Sequence, residues 1–101
     1  MKRTTVIYQT KPESTGDNQR LIERVFQELH AKAPAGVRYM ALRLEDDSFV
    51  HFSIVEETGG AHPITSLDAF KAFQSGIKER CATPPLQRGA TVVGNYRMLA
   101  E

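Results

Sequence analysis

Two rhythms of apolar residues alternate along the chain, and the switches between them mark its elements. "TTVIYQT" is rich in β-branched and aromatic residues and ends at the Pro, Ser, Gly and Asp of "KPESTGDN", which predicts a first strand over about residues 3–10. From Asn18 the period lengthens: Leu21, Ile22, Val25, Phe26 and Leu29 form a stripe at helical spacing, with Arg20, Glu23, Arg24, Gln27 and Glu28 on the solvated side. "APAG" stops this helix, because Pro34 cannot continue its hydrogen bonding and Gly36 permits a reversal. "VRYMALRLE" and "SFVHFSIVEE" then alternate as strands, and Asp46 and Asp47 between them suit a hairpin bend. After the loop "TGGAHPIT", Thr65 is a candidate helix cap completed by Asp68, and Leu67, Phe70, Phe73, Ile77 and Cys81 make a second helical stripe. "ATPPLQRG" ends that helix, and "ATVVGNYRML" is the predicted last strand.

The resulting β-α-β-β-α-β order predicts an α+β fold, a ferredoxin-like sandwich with a four-stranded antiparallel sheet and two helices on one face. Alternation assigns the two faces. Val6 and Tyr8, Met40, Leu42 and Leu44, and Val50, Phe52 and Ile54 are expected to meet the helices. Thr5, Ile7 and Gln9, Tyr39, Ala41 and Arg43, and Phe49, His51, Ser53 and Val55 are expected on the open face, joined by Val93, Asn95, Arg97 and Leu99. So much apolar area calls for a cover, and a second copy of the chain is the simplest one. Two sheets facing each other in a homodimer would either enclose a small-molecule space or pack into a solid interface.

Composition narrows the function classes. A length of 101 residues predicts one domain over 1–101, and 41% hydrophobic with 25% charged residues is the balance of a globular protein. Lys and Arg number 13 against 12 Asp and Glu, and the basic residues are scattered, which argues against a nucleic-acid partner. No run is apolar and long enough for a secretory signal or a membrane span, so the expectation is a cytoplasmic protein without a membrane partner. The single cysteine, Cys81, excludes an intrachain disulfide, agrees with a reducing compartment, and reads as a small core group on its stripe.

Among candidate chemical groups His51 stands out, a histidine inside an otherwise apolar strand. Gln9, Tyr39, Arg43, Ser53, Asn95 and Arg97 are the polar residues expected to share its face and to contact a substrate. His30, near a helix end, and His62, in a Gly/Pro loop, read as surface residues. Three isolated histidines do not make a metal-ligand pattern, and "ETGGAHP" is neither a phosphate loop nor a dinucleotide fingerprint. Neither a metal nor a cofactor is therefore expected.

The element order, the half-covered sheet and "FVHFSIVEE" together resemble the dimeric α+β barrel group, most closely its small antibiotic biosynthesis monooxygenase-like proteins. That resemblance implies a homodimer binding a small aromatic or apolar molecule, and cofactor-independent oxygenation in which the substrate itself supplies electrons to oxygen. It implies His51 as catalytic base, with an unperturbed pKa of about 6.5, and Gln9, Tyr39, Arg43, Asn95 or Arg97 steadying the anion. Haem-degrading members of the group use an Asn, Trp and His constellation, and this chain has no tryptophan. A non-catalytic ligand-binding or assembly module and a metal-free isomerase are the alternatives.

Overall fold

The computed structural model describes residues 1–56 and 59–100. Four strands, β1 (Lys2–Thr10), β2 (Val37–Arg43), β3 (Ser48–Val55) and β4 (Cys81–Gly89), form one sheet in the order β2-β3-β1-β4. Every neighbouring pair is antiparallel. Helices α1 (Thr15–Lys32), α2 (Asp68–Gln74) and the single turn α3 (Ile77–Arg80) complete the α+β, ferredoxin-like arrangement. The predicted end of the third strand at Glu57 and the first loop residue, Thr58, lie outside the described residues.

Helix α1 begins a few residues earlier than the apolar stripe predicts, after a 3-10 turn at Pro12–Ser14. Its buried residues Thr15, Asn18, Ile22 and Val25 recur at three- and four-residue spacing and so share one face. Ala33 ends it in the left-handed region, its N–H returning to the Leu29 carbonyl at 2.8 Å, just before Pro34. The hairpin turns where expected, with Asp47 at positive φ and the Leu44 N–H closing onto the Ser48 carbonyl.

The second helical stripe does not form one continuous helix. Gly76, at φ +80°, breaks it after α2, and Cys81 already belongs to β4. The stripe still does its packing work: Leu67, Phe70, Phe73, Ile77 and Cys81 all lie in or against the core. Thr65 does not cap α2. The carboxylate of Glu28, from α1, accepts the Ala69 N–H at 2.8 Å and the Asp68 N–H at 3.3 Å instead, putting an anion at the positive end of the helix.

The last strand is the clearest correction. β4 is "CATPPLQRG", the segment expected to terminate a helix, and residues 91–100 lie outside the sheet. Prolines are tolerated there because β4 is an edge strand. Between the pairs Gln9↔Thr83 and Ile7↔Leu86 the register shifts by one residue, and Pro84 and Pro85 sit in that irregularity. With the free side of β1 taken, "TVVGNYRML" has no strand to pair with; it crosses the open face, and Arg38 donates to the Ala100 carbonyl.

The facing of β2 and β3 is also the reverse of the expectation. Tyr39, Ala41 and Phe49 pack with Val6, Tyr8 and the helices, whereas Met40 and Leu42 are exposed on the other face. Val6 and Tyr8 face the helices as expected. His51, two residues beyond Phe49 and so on the same face, is thus buried beneath the helices.

Candidate functional site

Strand β3 delivers His51 to the middle of the helix-covered face, where the register puts it opposite Val6 of β1 and Ala41 of β2. Both small or aliphatic neighbours leave room for the imidazole, and larger rings one step away along each strand close over it. The Tyr8 hydroxyl lies 2.8 Å from Nε2, and the Tyr39 hydroxyl 2.6 Å from Nδ1. From α2 the Phe73 ring closes the space at 5.6 Å between centroids. Both nitrogens of one buried histidine are therefore engaged by phenols.

Behind Tyr8 the contacts continue. The Asn18 side chain, fully buried on α1, donates Nδ2–H to the Tyr8 hydroxyl at 3.0 Å and accepts from Arg80 Nε at 3.0 Å. Arg80 also donates to the carbonyls of Phe73 and Ser75 and lies over the Phe73 ring at 5.4 Å. Its cation thereby sits at the carbonyl end of α2. Five side chains from β1, α1, β2, β3 and α3 make one unbroken polar line: Arg80, Asn18, Tyr8, His51 and Tyr39.

Burial sets the protonation states. Desolvation drops the His51 pKa to about 4, leaving the imidazole neutral at pH 7. Burial likewise pushes the Tyr8 and Tyr39 phenols above their ordinary range; for Tyr8 the hydrogen bond from Asn18 works in the opposite direction. Partial burial raises the Cys81 thiol above its ordinary range, against the opposing charges of Arg80 and Lys11.

Beside this line a cavity of about 280 Å³ lies between the sheet and α2. Tyr8, Tyr39, His51 and Ser53 supply polar groups to its lining, Phe70 and Phe73 apolar ones, and His62, Lys2 and Gln87 line it as well. His62 is held by its own turn, Nδ1 accepting the N–H groups of Ile64 and Thr65.

Of the residues expected at the site, the structure brings together His51, Tyr39 and Ser53. Gln9 is elsewhere, donating to the Asp46 carbonyl at the hairpin. Arg43 binds Gln19 and Asp47 at the sheet edge. Asn95 and Arg97 belong to the segment after β4: Asn95 closes a turn onto Met98 and Leu99, and Arg97 lies over Tyr96. Gln9, Arg43, Asn95 and Arg97 therefore do not line the cavity beside His51, contrary to the expectation that they share its face, the last two because their strand does not form. Tyr8, Asn18 and Arg80 were missed. Tyr8 carried a readable signal, being the one residue with a polar group among those already assigned to the helices. Asn18 and Arg80 gave none, since a helix-start Asn and a helix-end Arg have ordinary surface readings. Among the described residues no three His, Cys, Asp or Glu side chains gather in a metal-binding cluster. No described helix is long and apolar enough to cross a membrane.

No protein-family model and no curated protein matches this sequence. Solved structures do match. A provisionally assigned antibiotic biosynthesis monooxygenase from Caulobacter crescentus CB15 superposes with a TM-score of 0.73 at 14% identity, over 92% of this chain and 90% of that one. A structure described as an antibiotic biosynthesis monooxygenase gives 0.73 at 12% identity, over 93% and 100%. A protein of unknown function from Nitrosomonas europaea gives 0.70 at 14% identity, over 98% and 95%. At these identities the likeness is one of fold. The fold is that of the antibiotic biosynthesis monooxygenase-like structures, as the element order and "FVHFSIVEE" led one to expect.

Proposed function

We propose that the cavity between the sheet and α2 binds a small aromatic molecule with an oxygen at its polar end, and that the protein oxygenates it without metal or flavin. The observation that carries this reading is the Tyr8–His51–Tyr39 triad lying along a cavity of about 280 Å³ that Phe70, Phe73, Ile64 and Ile77 also line. The chemistry suited to such a site converts an activated ring CH2 to C=O. Dioxygen accepts the substrate's electrons, one oxygen atom stays on carbon, and the other leaves as water with both hydrogens. The residues orient the substrate oxygen, stabilise its negative charge and keep water from the reactive carbon.

The same reading makes the protein a homodimer. Ile7, Leu42 and Leu86 are 45%, 47% and 48% exposed on the face away from the helices, and a second copy is the occupant we assign to that surface. The cavity then belongs to each subunit, with the interface on the sheet's opposite side. A cytoplasmic setting fits the single reduced cysteine.

Oxygen uptake with a panel of quinol- and anthrone-type compounds tests this proposal. Consumption of oxygen matched to product formation is expected, with no product under nitrogen. Product formed equally well without oxygen points to an isomerase. Binding without turnover supports a non-catalytic ligand-binding module, a reading favoured by the occupation of both His51 nitrogens within the protein. Absence of binding across the panel removes the cavity's role.

A further inference from the structure

Resting on the ligand reading above, we infer that the group meeting the ligand is the Tyr39 hydroxyl, acting as a hydrogen-bond donor, and that Arg80 and Asn18 fix this polarity. The line of contacts has a direction, set at its charged end. A guanidinium only donates, so the Asn18 atom 3.0 Å from Arg80 Nε is the amide oxygen. The amide nitrogen is thereby turned to Tyr8, whose hydroxyl oxygen accepts from it.

Two arrangements remain for the neutral imidazole. In one, Tyr8 donates to Nε2, the ring proton sits on Nδ1, and Nδ1–H donates to the Tyr39 oxygen. In the other, Nε2–H donates to Tyr8 and Tyr39 donates to Nδ1. The second leaves the Tyr8 proton without an acceptor at a residue that is 2% exposed, a buried unsatisfied donor. The first satisfies Tyr8 and leaves only the Tyr39 proton free, with no acceptor for it among the described residues. Tyr39 is partly exposed and lines the cavity, so that proton is available to a ligand.

Two consequences follow for the chemistry. His51 has no free lone pair with which to take a proton from a substrate directly; it is a positioning residue acting through Tyr39. The site selects ligands that present an acceptor, a carbonyl, enolate or phenolate oxygen, in preference to ones that must give up a proton there.

The test has two arms on the full chain. Imidazole 15N NMR of the ligand-free protein at pH 7 is expected to show the His51 proton on Nδ1. In Asn18→Asp, one carboxylate oxygen accepts from Arg80 and the other from the Tyr8 hydroxyl, which frees Nε2 to become the donor; the His51 proton is expected to move to Nε2. The second arm compares α-tetralone with tetralin, a ketone and a hydrocarbon of nearly the same shape. Tyr39→Phe is expected to weaken tetralone roughly three- to tenfold, the value of one neutral hydrogen bond, and to leave tetralin unchanged. An Nε2 proton in the unaltered chain, or undiminished tetralone binding by a folded Tyr39→Phe, overturns the inference. If neither compound binds, the ligand reading falls and takes the role of Tyr39 toward a ligand with it. The 15N spectrum, which needs no ligand and no folded variant, still decides the polarity of the line.

Discussion

The Tyr39 hydroxyl reaches His51 on the diagonal. The strand register pairs Tyr39 with Ser53 and His51 with Ala41, yet the phenol oxygen lies 2.6 Å from Nδ1. A long side chain leaning over a neighbouring pair can cover such a distance on one face of a sheet. Because Ala41 is small, nothing stands between the two rings.

Keeping that imidazole neutral makes stability depend on acid. In the unfolded chain His51 takes up a proton near pH 6.5, whereas in the fold it does so only near pH 4. The unfolded state therefore binds more protons between these values, and stability is full above about pH 6.5 and falls as pH drops toward 4. The full effect is about 3 kcal/mol. Tyr8, Tyr39, Lys2 and His62 are the other titratable groups facing or lining the same space. Urea unfolding across pH 4–7 is expected to show this loss in the native sequence and a flatter profile in His51→Phe.

Tyr8→Phe is nearly isosteric but strands two partners, the Asn18 amide N–H and His51 Nε2. A cost of about 2 kcal/mol is expected, since each is left buried and unpaired. Denaturant midpoints at pH 7 measure it. A change close to zero would mean that the line contributes little to holding α1 on the sheet.

Glu28 joins α1 to the start of α2. The Lys32 ammonium, then the Ala69 N–H, hold its carboxyl below the usual carboxylate range. Glu28→Ala should lower Tm by a few degrees and raise amide exchange selectively at Asp68 and Ala69, because the start of α2 loses its acceptor. Uniform exchange along the chain would speak against a local cap.

Leu42→Glu puts a charge on the exposed sheet face without touching the helix-covered core. Under the homodimer proposal, sedimentation should show a dimer for the native sequence and a folded monomer for this variant. A native chain that sediments as a monomer would refute the assigned occupant.

Much of the fold was legible from periodicity, because helical stripes and strand alternation both report burial. Facing was not. In β3 the sets Phe49, His51, Ser53, Val55 and Val50, Phe52, Ile54 each carry large apolar groups, so hydrophobicity leaves little to choose between them. In β2 it misleads, since Met40, Leu42 and Leu44 are more aliphatic than Tyr39, Ala41 and Arg43 and are nevertheless exposed. A rule that sends the most apolar face to the core fails wherever the core is built from hydrogen-bonded aromatics. The identity of β4 was hidden by two prolines, which a central strand excludes and an edge strand with a shifted register accepts. Of the site, His51 and Tyr39 were visible as residue types out of place or able to reach. Asn18 and Arg80 acquire meaning only once α1 and α3 converge on Tyr8.

Those prolines also govern how the sheet can grow. An outer strand normally offers a row of outward N–H and C=O groups on which another chain can template itself. Neither Pro84 nor Pro85 has an N–H to offer such a template, and both coincide with the bent register of β4. Edge-to-edge polymerisation is thereby discouraged at that margin, which helps a chain with exposed aliphatic side chains avoid fibrous aggregation.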